Sequence, residues 1–227
     1  IKHFTFDNFD YGKKWFDLLK KKDWNNVDWI YENLKYFREN EFLIHEQYPF
    51  SQFSNFVNTE SFEFILPNAP FRSITINQGM RMRGWYDIKS FTFEYQDNKG
   101  LHESKKYIDE LIKERCKDPS KFKIFLGGFS QGAAVSLYTG LSSTIKINGI
   151  IALSGYLPKI MNNILLKETS IIAIHGDGDD IIKLSTAKKS YRDLIESKNF
   201  SFKTYNMAHE VIYEEIIDIK NFLIENT

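Results

Sequence analysis

The chain has 227 residues, with 30 Lys and Arg balanced by 30 Asp and Glu, so no single-sign field exists to steer it to nucleic acid or an anionic membrane. At about 100 to 200 residues per domain this length predicts one large domain over residues 1–227. Hydrophobic residues at 42% and charged residues at 26% exclude a disordered, collagen-like or coiled-coil chain. In chain order, residues 11–22 and 24–38 place Trp15, Leu18 and Leu19, then Val27, Ile30, Tyr31 and Leu34 at helical spacing, which predicts two helices. Residues 42–58 scatter Phe42, Tyr48, Phe50, Phe53 and Phe56 among polar residues without a period and predict a loop or irregular element.

From Ser61 strand-like and helix-like segments alternate. A short apolar run at 62–66 is closed by Pro67, a helix is predicted over 101–116, a strand over 122–126 and a helix over 133–141. Further strands are predicted at 148–153, 170–175 and 201–206, with helices at 185–197 and 210–224. Strands apolar on both faces and alternating with helices indicate a parallel sheet covered by helices, the α/β class. No apolar run approaches the roughly 20 residues of a membrane span. The one cysteine, Cys116, cannot form an intramolecular disulfide and reads as a small core hydrophobe in an intracellular protein. The cytoplasm is the expected compartment, with an organelle left open because the chain begins at Ile1 and not Met.

The sharpest chemical feature is Gly128-Phe129-Ser130-Gln131-Gly132, a G-x-S-x-G pattern between a predicted strand and a predicted helix. A serine there sits in a tight turn, and the first free N–H groups of the helix face any oxyanion that forms beside it. An ordinary glycine-rich connection is the plainer alternative. A serine hydroxyl needs a base, and the base needs a third group to fix its tautomer. His209 follows the last predicted strand, and Asp177, Asp179 and Asp180 follow the strand before it, so all lie at the same edge of the sheet as Ser130. His3 and His45 lie upstream of the serine, His102 opens a surface helix and His175 ends a strand, and these fit the role less well.

With these motifs in view the chain resembles the acyl-protein thioesterase and lysophospholipase-like carboxylesterase family of small α/β-hydrolases. Leu66-Pro67-Asn68-Ala69-Pro70 is similar to its P-x-A-P segment, and Gly84-Trp85-Tyr86-Asp87-Ile88 to its aromatic W-F/Y-D stretch. Gly127-Gly128-Phe129-Ser130-Gln131-Gly132-Ala133 resembles G-G-F-S-Q-G-G, and Ala152-Leu153-Ser154-Gly155-Tyr156-Leu157-Pro158 and Met207-Ala208-His209-Glu210 also match. The run from His175 to Ile182 fits H-G-x-x-D-x-x-V, which selects Asp179 from the three candidate acids.

The resemblance covers residues from about Ser61 to the C-terminus. It implies an α/β-hydrolase-type, mostly parallel sheet flanked by helices, with Ser130, His209 and Asp179 as the catalytic residues. It also implies Gln131 as an oxyanion donor, Trp85 in substrate binding, and acyl esters or thioesters as substrates, a lipidated protein or a lysophospholipid among them. The triad supplies both nucleophile and base, so no metal or organic cofactor is implied.

Upstream the pattern changes. The nearest match to the family's H-G-L-G-D loop is His3-Phe4-Thr5-Phe6-Asp7, where both glycines are Phe; it reads either as a surviving loop with Thr5 at the position of the second oxyanion donor or as a packed hydrophobic stretch without catalytic duty. The core strand expected ahead of this loop is absent from the chain, and residues 20–61 form an aromatic-rich helical insertion that could cover the site, bind a protein partner or extend the core.

Three readings follow. The first is an active serine hydrolase that cleaves an acyl ester or thioester, with an oxyanion hole that the altered loop could impair. The second is a weak or inactive hydrolase-fold subunit with a structural or partner-binding role, and the third is a lipid-surface protein that holds acyl chains without turnover.

Overall fold

A computed structural model describes residues 64–90, 95–118, 121–159 and 169–227, all within one compact unit spanning Glu46–Thr227. The segments at 11–22 and 24–38 where helices are expected, the irregular segment at 42–58, the 20–61 insertion and Thr5 lie outside the described residues.

Strands β1 (Phe71–Ile74) and β2 (Met80–Arg83) form an antiparallel hairpin that turns through Gln78 and Gly79, both at positive φ. Helix α1 (Asn98–Arg115) begins at Asp97, whose side chain accepts from the Gly100 N–H at 3.0 Å. Strand β3 (Phe125–Phe129), helix α2 (Gln131–Ser142) and strand β4 (Gly149–Leu153) follow. Strand β5 (Ser170–Gly176), helix α3 (Leu184–Ser190), strand β6 (Phe200–Tyr205) and helix α4 (Tyr213–Glu225) complete the order. Among the described residues β3, β4, β5 and β6 make one sheet in that order, and every pairing in it is parallel.

The sheet is buried on both faces because β4 is apolar throughout and β5 is apolar from Ile171 to Ile174. Ile150 and Ala152 of β4, with Ile171 and Ala173 of β5, face Leu137 and Leu141 of α2 and Ile112 of α1. The alternate residues Ile151, Leu153, Ile172 and Ile174 face Ile216, Ile219, Phe222 and Leu223 of α4. Each such side chain contributes about 1.5–3 kcal/mol on burial. Helix α2 is buried from Ala133 to Leu141, which explains why its sequence is small or apolar all round instead of amphipathic.

Several predicted bounds move. The strand expected at 122–126 runs instead over Phe125–Phe129, because pairing with β4 carries through Gly127 and Gly128, while Phe122 is exposed. The run at 62–66 forms no strand over its described part. The helix expected at 185–197 gives way after Ser190 to turns that seat buried Tyr191 against the rings of Phe200 and Phe202, each 5.5 Å away. The final helix starts three residues later than expected, at Tyr213, where Glu215 accepts from the Ile212 N–H at 2.9 Å. Cys116 is free and half-buried at the end of α1.

Glu215 is fully buried, and one of its oxygens, Oε1, has no partner. Burial, with smaller contributions from Asp218 and Glu210, pushes its carboxyl from the ordinary 4.5 up to about 7. A carboxyl protonated in the fold and ionised in the unfolded chain makes stability fall as pH rises from about 4.5 to about 7, by on the order of 3 kcal/mol in all. Glu215→Gln, which keeps an acceptor for Ile212, should therefore melt close to wild type at pH 5 and clearly above it at pH 8. Parallel melting curves for the two proteins at both pH values would contradict this.

Candidate active site

Ser130 joins β3 to α2 at φ 53° and ψ −114°, a conformation that L-residues avoid. The turn is over-determined by its neighbours. The Ser130 N–H donates to the Leu153 carbonyl at 2.8 Å, and the Ser130 carbonyl accepts from the Ala134 N–H at 3.2 Å. Gly128 lies so close to the start of α2 that a Cβ there would fall 2.1 Å from the carbonyl carbon of Gly132. That close approach explains the glycine two residues before the serine.

The turn presents the Ser130 hydroxyl to His209, with Oγ 2.9 Å from Nε2. On the far side of the ring Nδ1 is 2.7 Å from Asp179 Oδ2. A carboxylate can only accept, so Nδ1–H donates to Asp179, Nε2 is left as acceptor, and the serine hydroxyl donates to it. The ring of Phe129 packs against the imidazole at a centroid distance of 4.7 Å.

Asp179 is 4% exposed, and its Oδ1 accepts from the N–H groups of Ile181 at 2.9 Å and Ile182 at 2.8 Å. Asp177 and Asp180, the other two candidate acids, are exposed. The two loops that carry Asp179 and His209 are joined by backbone. The Asp177 N–H donates to the Tyr205 carbonyl at 2.9 Å and the Gly178 N–H to the Met207 carbonyl at 3.1 Å. Gly176 permits this contact, since a Cβ on it would sit 2.3 Å from the Met207 oxygen.

Gln131 is the first residue of α2, so its N–H is among those without an intrahelical acceptor. Its side chain has a role that the sequence did not reveal. Gln131 Oε1 accepts from the Trp85 N–H at 2.8 Å and Gln131 Nε2 donates to the Tyr86 carbonyl at 2.7 Å, which ties the 84–88 segment to the serine turn. Trp85 is buried among Ala134, Val135 and Tyr138, with its ring 6.1 Å from that of Tyr107, and the Ser104 hydroxyl donates to its carbonyl. The buried hydroxyls of Tyr86 and Tyr156 share a hydrogen bond of 2.8 Å, which links the same segment to the loop after β4.

His175 was set aside in the sequence as the end of a strand, yet its Nε2 comes within 3.3 Å of Asp179 Oδ2. Its position four residues before the acid was the available signal. Among the described residues no group of three or more His, Cys, Asp or Glu side chains is gathered to hold a metal ion, and no helix is long and apolar enough to cross a membrane.

A serine in a tight turn between a parallel strand and a buried helix, with an imidazole and a carboxylate arriving from the next strand ends, defines a hydrolase with the α/β-hydrolase fold. The Phospholipase/Carboxylesterase family model matches residues 46–227, and the chain belongs to that family.

Among curated relatives, the chain is 42% identical over 177 residues to acyl-protein thioesterase 1 homolog 1 of Dictyostelium discoideum, covering 73% of this chain and 77% of that one. It is 41% identical over 180 residues to acyl-protein thioesterase 1 of Debaryomyces hansenii, with the same two coverages. The fold is shared with Zea mays acyl-protein thioesterase 2 at TM-score 0.65 and 23% identity, covering 78% of this chain and 87% of that one. It is shared equally with Arabidopsis thaliana SOBER1 at TM-score 0.65 and 24% identity, covering 71% and 82%.

The close approach at the serine turn gives a direct test. Gly128→Ala should strain the turn by about 1–3 kcal/mol and displace Ser130 from His209. A lower melting temperature and at least a tenfold slower reaction of Ser130 with a fluorophosphonate probe are expected; unchanged labelling would show that the turn tolerates a Cβ.

Proposed function

We propose that the protein is a serine hydrolase that removes acyl groups held in thioester or ester linkage, with acylated proteins as its substrate class and lysophospholipids as a related one. The observation that carries this reading is the line of contacts from Ser130 Oγ to His209 Nε2 and from His209 Nδ1 to Asp179 Oδ2, at 2.9 and 2.7 Å. The names of the relatives, acyl-protein thioesterases at about 40% identity, supply the substrate class.

In this mechanism Ser130 Oγ attacks the acyl carbon as its proton passes to His209 Nε2. Asp179 holds the tautomer and stabilises the imidazolium that results. Collapse of the tetrahedral intermediate breaks the C–S or C–O bond, and His209 returns the proton to the departing thiolate or alkoxide. Water then attacks the acyl-serine with His209 again as base, which releases the carboxylic acid and restores the hydroxyl. The Gln131 N–H donates to the oxyanion, and the N–H of Thr5 is its proposed partner.

Ser130→Ala should abolish covalent labelling and turnover while the protein still melts cooperatively. Asp179→Asn should favour the wrong His209 tautomer and lower kcat by on the order of 10⁴-fold. Asp177→Asn and Asp180→Asn, at exposed positions, should stay within a few-fold of wild type. Loss of activity in either of these two, with Asp179→Asn near normal, would reassign the acid.

The same reading makes this a slow hydrolase. Two preorganised donors normally hold the oxyanion, and removing one costs on the order of 10² to 10³ in kcat. Phe4 and Phe6 flank Thr5 where a glycine-containing loop would adopt backbone angles that these residues resist. Ready labelling of Ser130 with weak turnover is expected, together with partial recovery in the Phe4→Gly, Phe6→Gly double variant. Robust wild-type turnover of ordinary acyl thioesters would refute the impaired hole and leave the triad assignment standing.

A further inference from the structure

His175 closes β5, is fully buried and takes no part in the steps above. Its Nε2 is 2.7 Å from the carbonyl oxygen of Ile182 and 3.3 Å from Asp179 Oδ2. Both of those atoms accept, so the hydrogen sits on Nε2. Nδ1 is buried with no hydrogen-bond partner, so a second proton would have nothing to donate to. Burial accordingly holds the imidazole below the ordinary histidine range, against the opposing pull of the Ile182 carbonyl and Asp179. The titratable groups that act on it are Asp179 and His209.

The Ile182 peptide completes a closed circuit. Its N–H donates to Asp179 Oδ1 at 2.8 Å, while its carbonyl accepts from His175, which itself leans on Asp179 Oδ2. Oδ2 is the oxygen that accepts from His209 Nδ1. One neutral imidazole thus touches the acid directly and also fixes the turn that holds it.

We infer that His175 is a positioning residue for the acid–base pair. Its Nε2–H, donated to the Ile182 carbonyl, holds the peptide whose N–H donates to Asp179 Oδ1 and so fixes the rotation of the carboxylate, while the same N–H dipole, 3.3 Å from Oδ2, offsets part of the charge that would otherwise fall on His209. The inference rests on the assignment of Asp179 and His209 made above. It predicts two separable effects. Without the donor, the carboxylate is freer to rotate, which slows the chemical step; and it is also more negative toward His209, which raises the pH at which the imidazolium loses its proton.

The test compares wild type with His175→Leu, which removes the donor, and His175→Gln, whose amide nitrogen can reach the place of Nε2. Each is checked for a cooperative melt. With a short-chain acyl thioester, His175→Leu should lose about 10- to 100-fold in kcat, the scale of leaving one buried carbonyl without its donor, with KM little changed. The acid limb of its kcat/KM profile should move to higher pH, and His175→Gln should recover most of kcat and return the limb toward wild type. A folded His175→Leu protein with wild-type kcat and an unmoved limb would overturn the inference.

Imidazole NMR supplies a readout that needs no turnover. In wild type, His175 should remain the neutral Nε2–H tautomer throughout the titration of His209, and the His209 pKa should rise in His175→Leu. A wild-type His175 that carries its proton on Nδ1, or that titrates alongside His209, refutes the positioning role even if the leucine variant does not fold. Absent turnover in wild type with these NMR signatures present would count against the proposed reaction and not against the role of His175.

Discussion

The parallel register of β3 to β6 is the constraint on which the site depends. Phe129 pairs with Leu153, Leu153 with Ile174 and His175 with Thr204, so the strands end together at one edge. Ser130, Asp179 and His209 leave that edge from three different strands, and none could reach the next if a strand slipped by one residue. A slip would also exchange the two faces of a sheet whose alternate residues pack against different helices. The packing that makes the core therefore also sets the distances at the site, and the apolar runs Gly149–Leu153 of β4 and Ile171–Ile174 of β5 reflect both demands.

Within that frame the serine turn is held from three sides. The positive φ at Ser130 is a strained state, of order 1–3 kcal/mol, that persists because the Leu153 carbonyl takes its N–H, Gly128 lets α2 close in, and the Gln131 side chain is bound to the backbone of Trp85 and Tyr86. The last of these bears on how Trp85 acts. Its ring is in the core and its backbone is tied to the side chain of Gln131, the first residue of α2, so it bears on the site through the serine turn. Ser154, after β4, is a second described residue at positive φ near this turn, and its N–H is committed to the Ile174 carbonyl at 2.8 Å.

The sequence made the fold legible wherever burial was two-sided. Continuous apolar runs marked β4 and β5 to within a residue. It failed where little was buried: in the β1–β2 hairpin only Ile74 is in the core, and Phe71 and Met80 face solvent, so no alternation announced the strands. The glycines of β3 read as a loop because their use in a strand becomes clear only once α2 is packed against them. Ser130 and His209 could be singled out as candidates from motif and order. Preferring Asp179 among three neighbouring acids needed the family pattern, and what distinguishes it physically is visible only in three dimensions, where Asp179 alone of the three is buried on backbone donors. The contacts of Gln131 and His175 join residues 46 and 4 positions from their partners through side-chain geometry that no periodicity encodes.

Carboxylates surround the His209 loop, and they act in two different ways. Asp179 Oδ2 accepts directly from His209 Nδ1 at 2.7 Å. Glu210 accepts from the Ala208 N–H at 3.2 Å and Glu215 from the Ile212 N–H at 2.9 Å, so each fixes backbone on one side of His209. Further along α4, Asp218 binds Lys203 and the Tyr205 hydroxyl, each at 2.7 Å, and joins the helix to the strand from which the loop departs. Burial, with a smaller push from the neighbouring Asp218 and Glu210, is why Glu215 holds its proton to about pH 7. A neutral Glu215 can shape the loop without adding to the field at His209. The carboxylate that the imidazole meets is Asp179, whose Oδ1 is bound by the N–H groups of Ile181 and Ile182 and whose Oδ2, bound by His209 Nδ1, has His175 Nε2 3.3 Å away.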